Sequence, residues 1–146
     1  MSELLEKARS YEAKAATDKE SKPLFHISAP AGWINDPNGF SVYNGKIHLF
    51  YQYYPYLREW GPMHWGHSTT SDMIKWEQLP CVLAPDEEYD KKGCFSGSAI
   101  EADGKHVLVY TGVTRIKLPD GSEQERQNQC IAFGDGLNYV KHENSN

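Results

Sequence analysis

No stretch of this chain is both apolar and long enough to cross a membrane as a helix, and the opening Met1-Ser2-Glu3 carries no apolar run of the kind a leader needs. Runs of one charge are missing too. The net charge of −5 is dispersed, so neither nucleic acid nor a membrane is expected as a partner. Cysteine is scarce: Cys81, Cys94 and Cys130 are odd in number and lack CxxC spacing, which argues against a disulfide framework. They read as core thiols in a reducing compartment, and the expected location is cytoplasmic. Phosphate-cradling glycine loops are absent, Gly134-Asp135-Gly136 being too short, and no serine sits in a G-x-S-x-G elbow. His64 and His67 flank Trp65-Gly66, but residues three apart on a strand face opposite sides, so no metal site is expected and no cofactor is implied.

What the chain has is the make-up of one ordinary globular domain: 146 residues, 39% hydrophobic and 24% charged. Residues 2 to about 17 read as an amphipathic helix, with Ser2 as cap and Leu4, Ala8, Tyr11 and Ala15 on one stripe. That helix and its linker, 1–22, are expected to pack and to do no chemistry. From Pro23 onward the pattern is β. Phe40–Tyr43 and Lys46–Tyr53 flank Asn44-Gly45, the favoured pair for a two-residue type I′ turn. Further strands are expected at His64–Thr70 and Ile74–Leu79, which completes a four-stranded antiparallel meander. The pattern then recurs at Ser98–Glu101, Lys105–Thr111, Gln127–Phe133 and Tyr139–His142. Asn44-Gly45-Lys46 aligns with Asp103-Gly104-Lys105, and Ile74-Lys75-Trp76 with Leu137-Asn138-Tyr139. The expected fold is therefore all-β, with residues 23–146 forming two blades of a β-propeller. Two blades do not close a propeller, so the chain is expected to be a piece of a longer protein or to self-associate through open blade edges.

Chemistry concentrates in Trp33-Ile34-Asn35-Asp36-Pro37-Asn38-Gly39, read as a tight turn-rich loop entering the first blade near the propeller axis. Asp36 is the candidate acid there, although an Asx-turn ahead of Pro37 would need the same residue. Trp33, Tyr51, Tyr53, Tyr54, Tyr56, Trp60 and Trp65 surround it in sequence, with Gln52 among them. Sugars offer C–H faces to aromatic rings and hydroxyls to amides and carboxylates, so this mix suits a carbohydrate, though a core rich in aromatics would look similar. Cys94-Phe95-Ser96-Gly97-Ser98 holds the matching position in the second blade, which would turn Ser96 to the axis unless it is a plain turn entering a strand.

Trp33–Gly39, Phe50-Tyr51-Gln52, Trp65-Gly66-His67-Ser68 with Ser71-Asp72, and Phe95-Ser96-Gly97-Ser98, in this order and spacing, resemble glycoside hydrolase family 32 over residues of about 24 to 146. Invertases, sucrose-6-phosphate hydrolases and fructan hydrolases make up that family, whose catalytic module is a five-bladed propeller followed by a β-sandwich. The N-terminal helix looks like the bacterial, intracellular branch. The resemblance implies that Asp36 is the nucleophile of a retaining β-fructofuranosidase. It places Trp33, Asn35, Gln52, Trp60, Phe95 and Ser96 at fructose-binding positions. The family's acid/base lies in a Glu-Cys motif and its transition-state aspartate in Arg-Asp-Pro, and neither Glu-Cys nor Arg-Asp occurs in this sequence. Glu59, Glu77 and Glu101 lack a matching context, and Ile34 stands where the family commonly has Met or Leu. The chain alone is accordingly expected to be inactive. The alternative is a non-catalytic fructoside-binding module, which calorimetry with fructose or sucrose would distinguish.

Overall fold

The computed structural model describes residues 1–15, 22–23 and 26–143. Among the described residues one helix, α1 (Glu3–Ala15), precedes eight strands: β1 (Trp33–Tyr43), β2 (Lys46–Tyr54), β3 (His64–Thr70), β4 (Glu77–Leu83), β5 (Gly93–Ala102), β6 (Lys105–Lys117), β7 (Glu123–Gly134) and β8 (Tyr139–Lys141). They form two four-stranded antiparallel meanders in the orders β1-β2-β3-β4 and β5-β6-β7-β8, the two blades expected from the repeat.

Local chemistry explains why the blades match. Asn44 and Gly45 have φ of 49° and 72°, and Asp103 and Gly104 have 50° and 71°, the paired left-handed conformations of a type I′ turn. In the last connection of each blade, an aspartate closes the turn by accepting from the amides two and three residues on. Asp72 takes Ile74 and Lys75 at 2.9 and 2.8 Å, and Asp135 takes Leu137 and Asn138 at 2.9 and 2.7 Å. These backbone donors hold both carboxyls below their ordinary range.

Several expected boundaries move. The fourth strand begins at Glu77, not Ile74, because the Asp72 turn occupies residues 72–75. The fifth begins at Gly93, five residues before Ser98, and the hairpin of β6 and β7 runs to Lys117 and Glu123. On α1 the buried residues are Leu5, Ala8 and Glu12, while Leu4 and Tyr11 are exposed. The true stripe runs through an acid, which a hydrophobic pattern does not reveal. Residues 16 and 17, the expected end of that helix, lie outside the described residues.

The main core fills the space between the blades: Phe50, Trp65, Val82 and Leu83 meet Leu108, Tyr110, Cys130, Ala132 and Tyr139. A second cluster packs α1 on the other face of the first blade, where Leu5 and Ala8 meet Tyr51, Tyr53, Cys81 and Ala84. All three cysteines are buried. Lys141 of β8 inserts between Asp86 and Asp90, 2.5 Å from each, and also reaches the Ala84 carbonyl at 2.6 Å. With Asp90 fully buried, this pairing ties the last strand of the second blade to the inter-blade connection.

Candidate active site

The stretch read as a loop is a strand with two irregularities. β1 pairs Ile34 with Tyr53 and then Pro37 with Tyr51, so Asn35 and Asp36 together oppose Gln52. A β-bulge of this kind places two residues against one and re-aims their side chains. A second shift follows between Asn38 and Ser41, with Gly39 at φ 52°. A Cβ on Gly39 would lie 2.7 Å from the Phe50 ring and 3.1 Å from Ala99, so only glycine allows β1 to approach β5 this closely.

β5 carries the matching irregularity: Phe95 pairs with Thr111 and Gly97 with Tyr110, which leaves Ser96 as the extra residue. The two bulges face one another across the blades. Ser96 Oγ donates to Asp36 Oδ2 at 3.1 Å, and the Gly97 amide donates to Asn38 Oδ1 at 3.4 Å. Asp36 and Ser96 are both exposed, so the carboxylate is open to a ligand.

The structure brings most of the other sequence candidates to the same seam. Trp33 Nε1 donates to Asn35 Oδ1 at 2.7 Å, fixing the amide beside Asp36. Trp60 is 57% exposed and meets Phe95 edge-on, ring centroids 6.2 Å apart, forming an aromatic corner beside Ser96. Gln52 stands behind the bulge, buried, with its amide nitrogen donating to the Cys94 carbonyl at 2.9 Å. The aromatic cluster also divides. Tyr51 and Tyr53 point beneath α1 and Trp65 lies in the inter-blade core. Alternation along β2 separates Tyr51 and Tyr53 from Gln52.

Two features of the seam have no sequence signal. Asn38, which the turn reading treated as a loop former, bridges to β5. Three histidines from different strands also converge between the blades: His48 Nδ1 and His67 Nε2 are 2.9 Å apart, and His106 contacts Ser41 Oγ at 2.9 Å and the Tyr139 hydroxyl at 2.7 Å. Burial lowers the pKa of all three, that of His106 to about 4. His64 is apart from them, held by the Pro62 carbonyl at 2.9 Å. Among the described residues no group of His, Cys, Asp and Glu is arranged to hold a metal ion.

The model of the glycosyl hydrolases family 32 N-terminal domain matches residues 26–146. A sucrose-6-phosphate hydrolase of Escherichia coli is 48% identical over 120 residues, which are 82% of this chain and 25% of that protein. Among solved structures, a mutant of the Bombyx mori GH32 β-fructofuranosidase in complex with sucrose superposes with a TM-score of 0.83 at 42% identity, covering 95% of this chain and 29% of that one. A sucrose-6-phosphate hydrolase from Lactobacillus gasseri gives 0.78 at 33% identity, over 97% and 28% of the two chains. The chain spans about a quarter of the length of the curated relatives it matches.

Proposed function

The chain belongs to glycosyl hydrolase family 32, and on that premise we propose that it supplies the nucleophile wall of a retaining β-fructofuranosidase site for sucrose, sucrose 6-phosphate or related fructosides. The observation that carries this reading is the facing pair of bulges, which holds Asp36 exposed at a blade junction with Ser96 bonded to it. Asp36 attacks the anomeric carbon of the fructosyl unit as the glycosidic C–O bond breaks and the leaving oxygen departs, and water then hydrolyses the covalent fructosyl intermediate and frees the carboxylate. Asn35 and Ser96 bond hydroxyls, and Trp33, Trp60 and Phe95 form apolar walls against the ring's C–H faces. Gln52 contributes from behind the bulge.

A retaining mechanism also needs a second carboxyl about 5 Å from the first, to protonate the leaving oxygen and later activate water. The carboxylates of this sequence do not offer one in a matching context. Glu77 pairs with Lys46 at 3.1 Å, and Glu101 sits opposite His106 near the far hairpin turn. The 146-residue chain alone is therefore expected to be inert toward sucrose and sucrose 6-phosphate. The three buried thiols suit a reducing compartment, and a cytoplasmic location belongs to the same proposal.

The test is a graft. Residues 26–146, placed in the Escherichia coli sucrose-6-phosphate hydrolase over the matched segment, should support turnover, and Asp36→Asn should lower kcat by about a thousandfold or more. Turnover by the ungrafted chain, or a graft indifferent to Asp36→Asn, would overturn the assignment.

A further inference from the structure

Gln52 and Trp65 are directly opposed on β2 and β3, so their side chains leave the same face of the first blade side by side. Both reach the second blade, and they take consecutive carbonyls there. Gln52 Nε2 donates to Cys94 O at 2.9 Å, and Trp65 Nε1 donates to Phe95 O at 3.1 Å. The next residue is Ser96, the extra residue of the β5 bulge, whose hydroxyl returns to Asp36. Asp36 in turn sits in the bulge opposite Gln52. The chain of contacts is closed: from Asp36 across β1 to Gln52 and Trp65, over to the Cys94–Phe95 backbone, and back through Ser96.

From this circuit we infer that Trp65 is a positioning residue for Asp36, acting through the Phe95 carbonyl and Ser96. The indole is fully buried, with its ring edge on Tyr110 at 6.2 Å and its tilt against Phe50 at 5.7 Å, so it is a rigid donor. An indole N–H donates and never accepts, and a part-buried carbonyl that loses such a donor shifts toward another. Because a bulge residue lacks a ladder partner of its own, its direction depends on how the flanking carbonyls are held. Phenylalanine at 65 keeps an aromatic ring in the core but frees Phe95 O, which releases Ser96 from its register with Asp36. The inference rests on reading Asp36 as the site's working carboxylate, but the coupling itself can be measured without turnover.

The experiment uses NMR on the 146-residue chain. In the unsubstituted protein, a through-hydrogen-bond coupling should connect the Trp65 indole nitrogen to the Phe95 carbonyl carbon. Ser96→Ala should displace the Asp36 side-chain carboxyl carbon resonance. Trp65→Phe should displace it in the same direction, and the double variant should move it no further than Ser96→Ala alone. A missing coupling in the unsubstituted chain overturns the inference even if Trp65→Phe fails to fold. So does an Asp36 resonance unmoved by Trp65→Phe, or displacements that add in the double variant, since these make Trp65 merely a core residue. Failure of the graft to hydrolyse its substrate with this coupling intact would refute the functional reading and leave the positioning network standing.

Discussion

His48, His67 and His106 lie in one desolvated seam, where a charge has no counter-ion among the described residues: the facing groups are the Tyr43 carbonyl, the Ser41 and Tyr139 hydroxyls, the Phe50 ring and the cations Lys46 and Arg9. Burial is the largest cause of their lowered pKa values, and their mutual repulsion adds to it for His67 and His106. The sign follows from linkage. With folded values below the ordinary 6.5, the neutral rings contribute fully above that pH, and stability falls as pH drops from 6.5 through about 4. For His106 alone the loss by pH 5 is on the order of 1–2 kcal/mol. Thermal melts should therefore show a midpoint several degrees lower at pH 5 than at pH 7, and His106→Gln should flatten that slope. A slope unchanged in the variant would remove His106 from the account. No sequence rule could have assembled this group, because His48 and His67 meet across β2 and β3 while His106 joins them only when the second blade packs on the first.

At the level of the element, α1 is held over the first blade by polar contacts as well as by the apolar cluster of Leu5 and Ala8. Arg9 Nε donates to the Cys81 carbonyl at 2.7 Å, while its Nη1 reaches Asn138 of the second blade at 3.2 Å. Glu12 Oε1 accepts the Cys81 amide at 2.8 Å, and neither its Oε2 nor the adjacent Tyr53 hydroxyl has a hydrogen-bond partner among the described residues. Burial pushes this carboxyl up to about 7, and the protonated form could donate to Tyr53 and satisfy both atoms. A raised folded pKa means the docked helix gains most below about pH 4.5 and loses that gain as pH rises through 7. Amide exchange in α1, corrected for intrinsic rate, should be less protected relative to β2 and β3 at pH 8 than at pH 5.5. Glu12→Gln should remove that difference, and a difference that persists would assign it elsewhere. A helix here was legible from its cap and periodicity, but its buried face was not, because Glu12 occupies a position that hydrophobic spacing leaves to Tyr11. The hairpins were legible because Asn-Gly and Asp-Gly pairs permit few other conformations. The stretch from Trp33 to Gly39 misled for the converse reason: bulges recruit the same residues as turns, and only pairing with β2 distinguishes them.

Across the whole molecule, the inter-blade core and the facing bulges use one face of each sheet, and α1 covers part of the first blade's other face. The remaining face of the second blade keeps an apolar row running across all four strands: Ile100 pairs with Val107, Val107 with Phe133, and Phe133 with Val140. Val107 is buried by its neighbours, whereas Ile100, Phe133 and Val140 are exposed, Val140 by 74%. On the first blade Phe40 and Val42 stand out similarly. A sheet that is apolar on both faces behaves as an internal layer, and in water such a row associates with whatever apolar surface it meets. The isolated chain is accordingly expected to self-associate as its concentration rises. Static light scattering over a wide dilution series should show the mass per particle increasing, with no plateau at a single closed dimer if both blade faces take part. Val140→Lys, at an exposed position away from the inter-blade core, should shift that rise to higher concentration while leaving the near-ultraviolet circular dichroism of the buried aromatics unchanged. A chain that stays monomeric throughout, or one whose association ignores Val140→Lys, would mean that this row is not the adhesive surface.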